Sequence, residues 1–170
     1  MIAIRRAAID TGPLLSALVL HYQLEHGARQ AFGSFLEEPL LTRDHQEQFL
    51  NLLASIKEKL TTSHVIAEMQ GLANSRLKLS RDDRLNFWRA SIDLLVQWDL
   101  DEQLVRLLDM AGRKELKDRL PDIGIVDTGL IELAAQSGCI LITQDARTLA
   151  PRALSDGIEC RLVRQLIPQV

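Results

Sequence analysis

Four acids in this 170-residue chain stand where an acid needs a reason: Asp10, Glu68, Asp127 and Asp145. In AAIDTGPLL, Asp10 closes a short apolar run and leads into Thr-Gly-Pro. In LITQDARTL, Asp145 follows the apolar segment CILIT with only Gln144 between it and Thr143. Asp127 interrupts a dense apolar stretch made of Ile123, Ile125, Val126, Leu130, Ile131 and Leu133. Glu68, in TTSHVIAEMQGL, falls about one turn into a helix, beside Val65, Ile66 and Met69. A carboxylate among apolar neighbours costs on the order of several kcal/mol unless it is paired or metal-bound. Gathered acids suit Mg²⁺ or Mn²⁺, hard ions that take oxygen ligands and are commonly held by a few carboxylates plus a substrate phosphate.

Each acid also has an ordinary reading. Asp10 suits a turn or a helix cap, Asp145 a helix N-cap, and Glu68 a solvated helix face. What those readings leave unexplained is the shared position of Asp10 and Asp145. Both stand at the carboxyl end of a strand, Asp10 directly and Asp145 one residue on, and in open parallel sheets the working crevice lies outside the carboxyl ends of the strands. Other chemistries are disfavoured. His21, His26, His45 and His64 are scattered rather than set at zinc spacing, and the chain has neither a P-loop nor a G-x-G-x-x-G turn. Cys139 and Cys160 lie inside apolar segments and read as buried free thiols in a reducing compartment, with a disulfide as the alternative.

The elements that must position these acids alternate between strand and helix. AIRRAAI reads as a first strand, and from Pro13 the spacing of Leu14, Leu15, Leu18 and Val19 predicts a helix. Residues 43–60 predict a second helix with Phe49, Leu52, Leu53 and Ile56 on one face. LTTS is a short extended piece before a third helix, HVIAEMQGLANSRL, with Ser63 as its N-cap. Ser80 caps a long amphipathic helix whose apolar face is Leu85, Trp88, Ile92 and Leu95, with Trp88 and Trp98 serving the core. DEQLVRLLDMAGRKEL is read as a further helix built on Leu104, Leu107, Leu108 and Met110. DIGIVDTGLIELAAQSG is a helix with Asp122 as N-cap and Gly138 as its end. CILIT and IECRLV are strands, separated by the turn and helix of DARTLAPRALSDG. Strands separated by helices, one of them apolar on both faces, predict a parallel sheet in an α/β fold. Gly12 is read as the residue that lets the backbone turn tightly after Asp10.

Composition agrees with a single globular domain at residues 1–170. Apolar residues make up 46% and charged residues 25%, and with aromatics at only 4% the core must come from aliphatic side chains. A net charge of −3 argues against a strongly basic nucleic-acid binder. No apolar run is long enough to span a membrane and MIAIRR does not read as a signal peptide, so the cytoplasm is the expected location.

In four pieces, the sequence resembles the PIN-domain nucleases. These are IDTGPLL with Asp10, TTSHVIAEMQGL with Glu68, GIVDTGLIELAAQSGCILIT with Asp127, and LITQDARTL with Asp145. The resemblance implies a three-layer α/β/α sandwich around a mainly parallel sheet. It implies Mg²⁺- or Mn²⁺-dependent cleavage of phosphodiester bonds, most often in RNA, with Asp10, Glu68, Asp127 and Asp145 as the catalytic and metal-binding cluster. Thr11 and Thr143 become hydroxyl neighbours of that site and candidates for contact with substrate. The family includes the RNase halves of bacterial toxin–antitoxin pairs, from whose compact members this chain departs by extra helices between Asp10 and Glu68. A small antitoxin-like protein and a second copy of the chain are therefore partner candidates beside RNA.

RNA must approach an acidic centre past positive charge. Arg76, Lys78, Arg81 and Arg84 after the Glu68 helix, and Arg147 and Arg152 after Asp145, are the candidates, Arg76 and Arg147 foremost. Two other readings compete. A haloacid-dehalogenase-like phosphatase also places an acid after its first strand, but it needs a second acid two residues on, where this chain has Gly12. A non-catalytic binding module is the other, with the acids serving structure alone.

Overall fold

The computed structural model describes residues 4–27, 36, 40, 42–106 and 114–167. Its elements are β1 (Arg6–Ile9), α1 (Thr11–His26), α2 (Arg43–Ser55), β2 (Glu58–Thr62), α3 (Ser63–Arg76), α4 (Arg81–Gln97), β3 (Leu100–Gln103), α5 (Lys114–Ser137), β4 (Ile140–Thr143), α6 (Leu149–Ser155), β5 (Cys160–Leu162) and α7 (Val163–Leu166). The five strands form one parallel sheet in the order β3-β2-β1-β4-β5. In β1, Ala7, Ala8 and Ile9 are all fully buried. Successive residues of a strand face opposite sides, so both faces of the sheet centre are covered by helices. This is the three-layer α/β/α arrangement around a parallel sheet that the sequence predicts.

The strand order sets the place of the site. From β1 the chain moves outward through β2 to β3, then returns to β4 on the other flank of β1. That reversal is a topological switch point, and the crevice opens beyond the carboxyl ends of β1 and β4. Register fixes the rungs there: Ile9 pairs with Ile142, and the N–H of Asp10 donates to the Ile142 carbonyl at 3.0 Å. Asp10 and the end of β4 are therefore neighbours by backbone hydrogen bonding alone.

Several boundaries differ from the sequence reading. The second helix stops at Ser55, and residues 58–62 are β2, paired with β1. The charged run Lys57, Glu58, Lys59 resembles a helix tail, but Lys59 is buried and donates its Nζ to the carbonyls of Ile56, at 2.5 Å, and Trp98, at 3.3 Å. The N-cap of α3 is Thr62, not Ser63: its hydroxyl accepts from the N–H of Val65 at 3.2 Å. Leu100–Gln103 is not helical but an edge strand, β3, polar because only one of its sides is paired. Leu107, Leu108 and Met110 of the helix expected there lie outside the described residues, and Leu104 is exposed. Ser80 does cap α4, accepting from the N–H of Asp83 at 3.1 Å.

The core face of α4 is Phe87, Ser91 and Leu94, rather than the Leu85 to Leu95 stripe. Within α5 the backbone leaves helical geometry at Gly124 (φ 78°, ψ 172°), so the helical stretch carrying Asp127 begins there. Asp122 precedes this break and does not cap it. Thr128 instead donates its hydroxyl to the Gly124 carbonyl at 2.6 Å. A left-handed Gly138 ends the helix (φ 57°) as expected. Both cysteines are free. Among the described residues no helix is long and apolar enough to cross a membrane.

Candidate active site

Asp10 is both a cap and a buried acid. It precedes α1 with an extended backbone (φ −75°, ψ 164°), and its Oδ1 accepts from the N–H of Thr11 at 2.6 Å. Its Oδ2 accepts from the hydroxyl of Thr143 at 2.6 Å, across the β1–β4 rung. The residue is only 7% exposed. Burial pushes its carboxyl up to about 6, against the pull of Thr143 and Thr11, and the charges of Glu68 and Asp145 push the same way. The capping role and the crevice position coexist in one side chain.

Two threonines join the acids. Thr11 donates its backbone N–H to Asp10 and its hydroxyl to Oε2 of Glu68 at 2.5 Å, tying the start of α1 to α3. Thr143 donates to Asp10 and accepts from the N–H of Asp145 at 2.9 Å. Both are buried, Thr143 completely. Both hydroxyls donate to carboxylates of the cluster, Thr11 to Glu68 and Thr143 to Asp10, and so hold these acids in place.

Asp145 is held by its own turn. Oδ1 accepts from the N–H of Arg147 at 2.8 Å and of Thr148 at 3.0 Å. Oδ2 accepts from the Thr148 hydroxyl and from the N–H of Leu149 at 3.2 Å. Burial would raise this carboxyl, but the donors of Thr148, Arg147 and Leu149 outweigh it and hold it below the usual carboxylate value. A carboxylate offers about four acceptor sites, and here four donors take them. Asp145 would have to release one to ligate an ion directly.

Asp127 is the opposite case. Among the described residues nothing donates a hydrogen bond to it, and it is half-buried. Burial, then the charges of Asp10, Glu68 and Asp145, push its carboxyl up to about 7. Asp10 and Asp127 each feel the charges of Glu68 and Asp145. The structure therefore brings all four sequence-predicted acids around one crevice, from four separate elements.

The donor set suits a hard divalent cation. Asp127, the second oxygen of Glu68 and the remaining acceptor sites of Asp10 are the oxygens not already spent, and two of these carboxyls are raised by burial and, less, by like charge, which a cation would offset. As placed, no three His, Cys, Asp or Glu side chains among the described residues are close enough to hold one ion.

The basic candidates lie further out. Arg147 is exposed, at the mouth of the turn that holds Asp145. Arg76 is exposed at the end of α3, eight residues beyond Glu68, or about 12 Å along the helix at ~1.5 Å per residue. Lys78, Arg81 and Arg84 are exposed beyond it, and Arg152 is half-buried in α6.

Two supporting residues escape sequence reasoning. Thr148 supplies two of the four donors to Asp145, a role that the spacing D-x-x-T signals in retrospect as a side-chain cap. Gln144 donates to the Ser16 hydroxyl at 3.2 Å, and its Oε1 would lie 2.8 Å from a Cβ on Gly12. Gly12 therefore keeps helical geometry inside α1 and leaves room for Gln144; it is not a turn-maker.

No curated protein matches the chain. The PIN domain family model matches residues 33–153, a span that holds Glu68, Asp127 and Asp145. Asp10 precedes the matched span, and its place beside the others rests on the β1–β4 pairing and the two threonine links. With well over half its length matched and with the sheet described above, the chain belongs to the PIN domain family.

Proposed function

We propose that this protein is a divalent-metal-dependent nuclease that hydrolyses phosphodiester bonds in RNA. The observation that carries the reading is the meeting of Asp10, Glu68, Asp127 and Asp145 at the switch point of the sheet, where burial and mutual repulsion raise two of the four. Fixed structure rarely keeps repelling acids together without use, and perturbed carboxyls in a crevice mark functional sites.

Asp10, Glu68 and Asp127 would hold Mg²⁺ or Mn²⁺, which when bound supplies a nucleophilic water of lowered pKa and neutralises phosphate charge. The chain's own residues do the rest. Thr11 and Thr143 fix the Asp10 carboxylate so that it need not reorganise. Asp127, which burial and the neighbouring carboxylates raise to about 7 without metal, would ionise on binding the cation, whose charge offsets both. Asp145 locks the turn that carries Arg147, whose guanidinium would suit a phosphate oxygen.

The substrate class is tested by offering the protein, with Mn²⁺, a single-stranded RNA, a hairpin RNA and a DNA of the same sequence. Cleavage of an RNA but not of the DNA supports the proposal. Preferred cleavage of the DNA contradicts the substrate, and a protein that binds RNA without cutting any of them contradicts the activity.

A further inference from the structure

Gln144 stands between Thr143, whose hydroxyl donates to Asp10, and Asp145, yet the acid cluster gives it no task. Successive residues at a strand end face opposite ways, so while Thr143 serves Asp10, Gln144 turns onto the first turns of α1. There its Nε2 donates to the hydroxyl of Ser16 at 3.2 Å, and its Oε1 lies 2.8 Å from where a Cβ on Gly12 would be. Three choices at this spot work against plain stability. Gly12 weakens the helix relative to alanine. Ser16 buries a hydroxyl among the wholly buried Leu14, Leu15, Ala17 and Leu18. Gln144 fixes a long polar side chain where an apolar one would pack. Together they hold one carboxamide in one place, and local choices that cost stability yet agree on a geometry mark a functional position.

The free end of that amide names what it meets. Oε1 has no hydrogen-bond partner among the described residues and is not sealed from solvent. It lies at the start of α1, beside the residues that follow Asp10. A nucleic acid whose phosphate sits at the acids passes its sugar–phosphate backbone here, with the base edges projecting away. A carbonyl oxygen can only accept a hydrogen bond. The phosphate and ring oxygens of such a backbone also only accept. Its one donor is the 2′-hydroxyl, which RNA has and DNA lacks.

We propose that Gln144 is a specificity residue of this site: its Oε1 accepts the 2′-hydroxyl of the ribose beside the phosphate at the acids, and so contributes to the choice of RNA over DNA. This contact rests on the nuclease reading, which places the phosphate. The test takes one single-stranded RNA and the DNA of the same sequence, measures the affinity of each by fluorescence anisotropy in Ca²⁺, and reads cleavage separately in Mn²⁺. The wild type should bind the RNA more tightly. Gln144→Leu should weaken RNA binding by about 3- to 10-fold, the worth of one hydrogen bond, while DNA binding and stabilisation by Mn²⁺ hold. Gly12→Ala, whose Cβ displaces Oε1, should weaken RNA binding alone in the same way, and the double variant should lose no more than Gln144→Leu does. A packing role would move both nucleic acids equally. A wild type with no preference for RNA, a loss in Gln144→Leu shared by DNA, or a fully additive double variant overturns the assignment. A preference for RNA that Gln144→Leu abolishes, in a protein that cleaves nothing in Mn²⁺, supports the contact and sinks the nuclease reading instead.

Discussion

The hydroxyl of Thr143, the last residue of β4, lies 2.6 Å from Oδ2 of Asp10, which follows the last residue of β1. The two are 133 positions apart in sequence and become adjacent only because β4 returns to the flank of β1. The same hydroxyl accepts the N–H of Asp145, so one buried threonine sets the geometry of two acids. Thr11 does the equivalent for Asp10 and Glu68. The cluster is thus assembled by sheet topology and held by hydroxyls, while Asp127 is carried to it by α5 against the repulsion of the other acids.

Thr143→Val keeps the shape and removes the hydroxyl. It should destabilise the protein by about 2 kcal/mol at pH 8, since a buried carboxylate loses a donor and a backbone N–H loses its acceptor. Urea unfolding should show the loss, with Thr143→Ser much closer to wild type. At pH 5, where Asp10 is protonated, the effect should shrink. An unchanged urea midpoint at pH 8 would contradict the role given to Thr143.

Stability without metal should depend on pH in an uncommon direction. Asp10 and Asp127 are raised from 3.8 to about 6 and about 7, so the native state holds their protons more tightly than the unfolded chain does. The stability they contribute is complete below pH 4 and is lost as pH rises through 6 and 7. For Asp10, the better buried, the loss amounts to roughly 3 kcal/mol. Asp145 is shifted the other way and acts only at more acid pH. Thermal melts in EDTA should therefore give a higher Tm at pH 5 than at pH 8, and Mn²⁺ should restore more stability at pH 8. A Tm in EDTA that rises from pH 5 to pH 8 would refute this.

Asp127→Asn removes a charge that has no hydrogen-bond partner among the described residues. At pH 8 in EDTA it should leave the protein as stable as wild type or more stable by about 1 kcal/mol, the usual gain when a functional site is relieved of strain. The same variant should lose stabilisation by Mn²⁺. A clear drop in Tm would mean that Asp127 serves the fold rather than the site.

Asp145 should behave in the contrary way. Asp145→Ala strips four hydrogen bonds from the 145–149 turn and should cost about 1–2 kcal/mol, the cost of a lost helix cap. Some response of stability to Mn²⁺ should survive, because the unspent oxygens belong to the other three acids. Paired melts of this variant and Asp127→Asn, with and without Mn²⁺, separate a residue that shapes the site from one that binds there.

The acids were legible because their signal is local. Asp10 and Asp145 each end an apolar run, and Asp127 breaks one, so burial and topology could be argued from a few residues. The two strands on the β1 flank away from β4 were harder. In β2, Lys59 is buried with its ammonium capped by two backbone carbonyls, a solution that periodicity does not encode. In β3, Asp101, Glu102 and Gln103 are exposed at the sheet edge, so the strand lacks any apolar pattern. On α4 both stripes are plausible cores by spacing, and only tertiary contact selects the one containing Ser91. The ties made by Thr11, Thr143 and Thr148 were hidden for a similar reason: a threonine's use depends on what lies opposite it.

The most direct test is metal-dependent RNA cleavage by wild type and Asp127→Asn side by side, with Mn²⁺ or EDTA, on protein shown to be folded. The account predicts cutting by the wild type in Mn²⁺, none in EDTA, and a loss of at least about 100-fold in the variant, the scale on which charge-handling groups of active sites contribute. Equal cleavage by both proteins, or wild-type cleavage that persists in EDTA, would contradict the claim that this carboxylate cluster is a metal-dependent nuclease site.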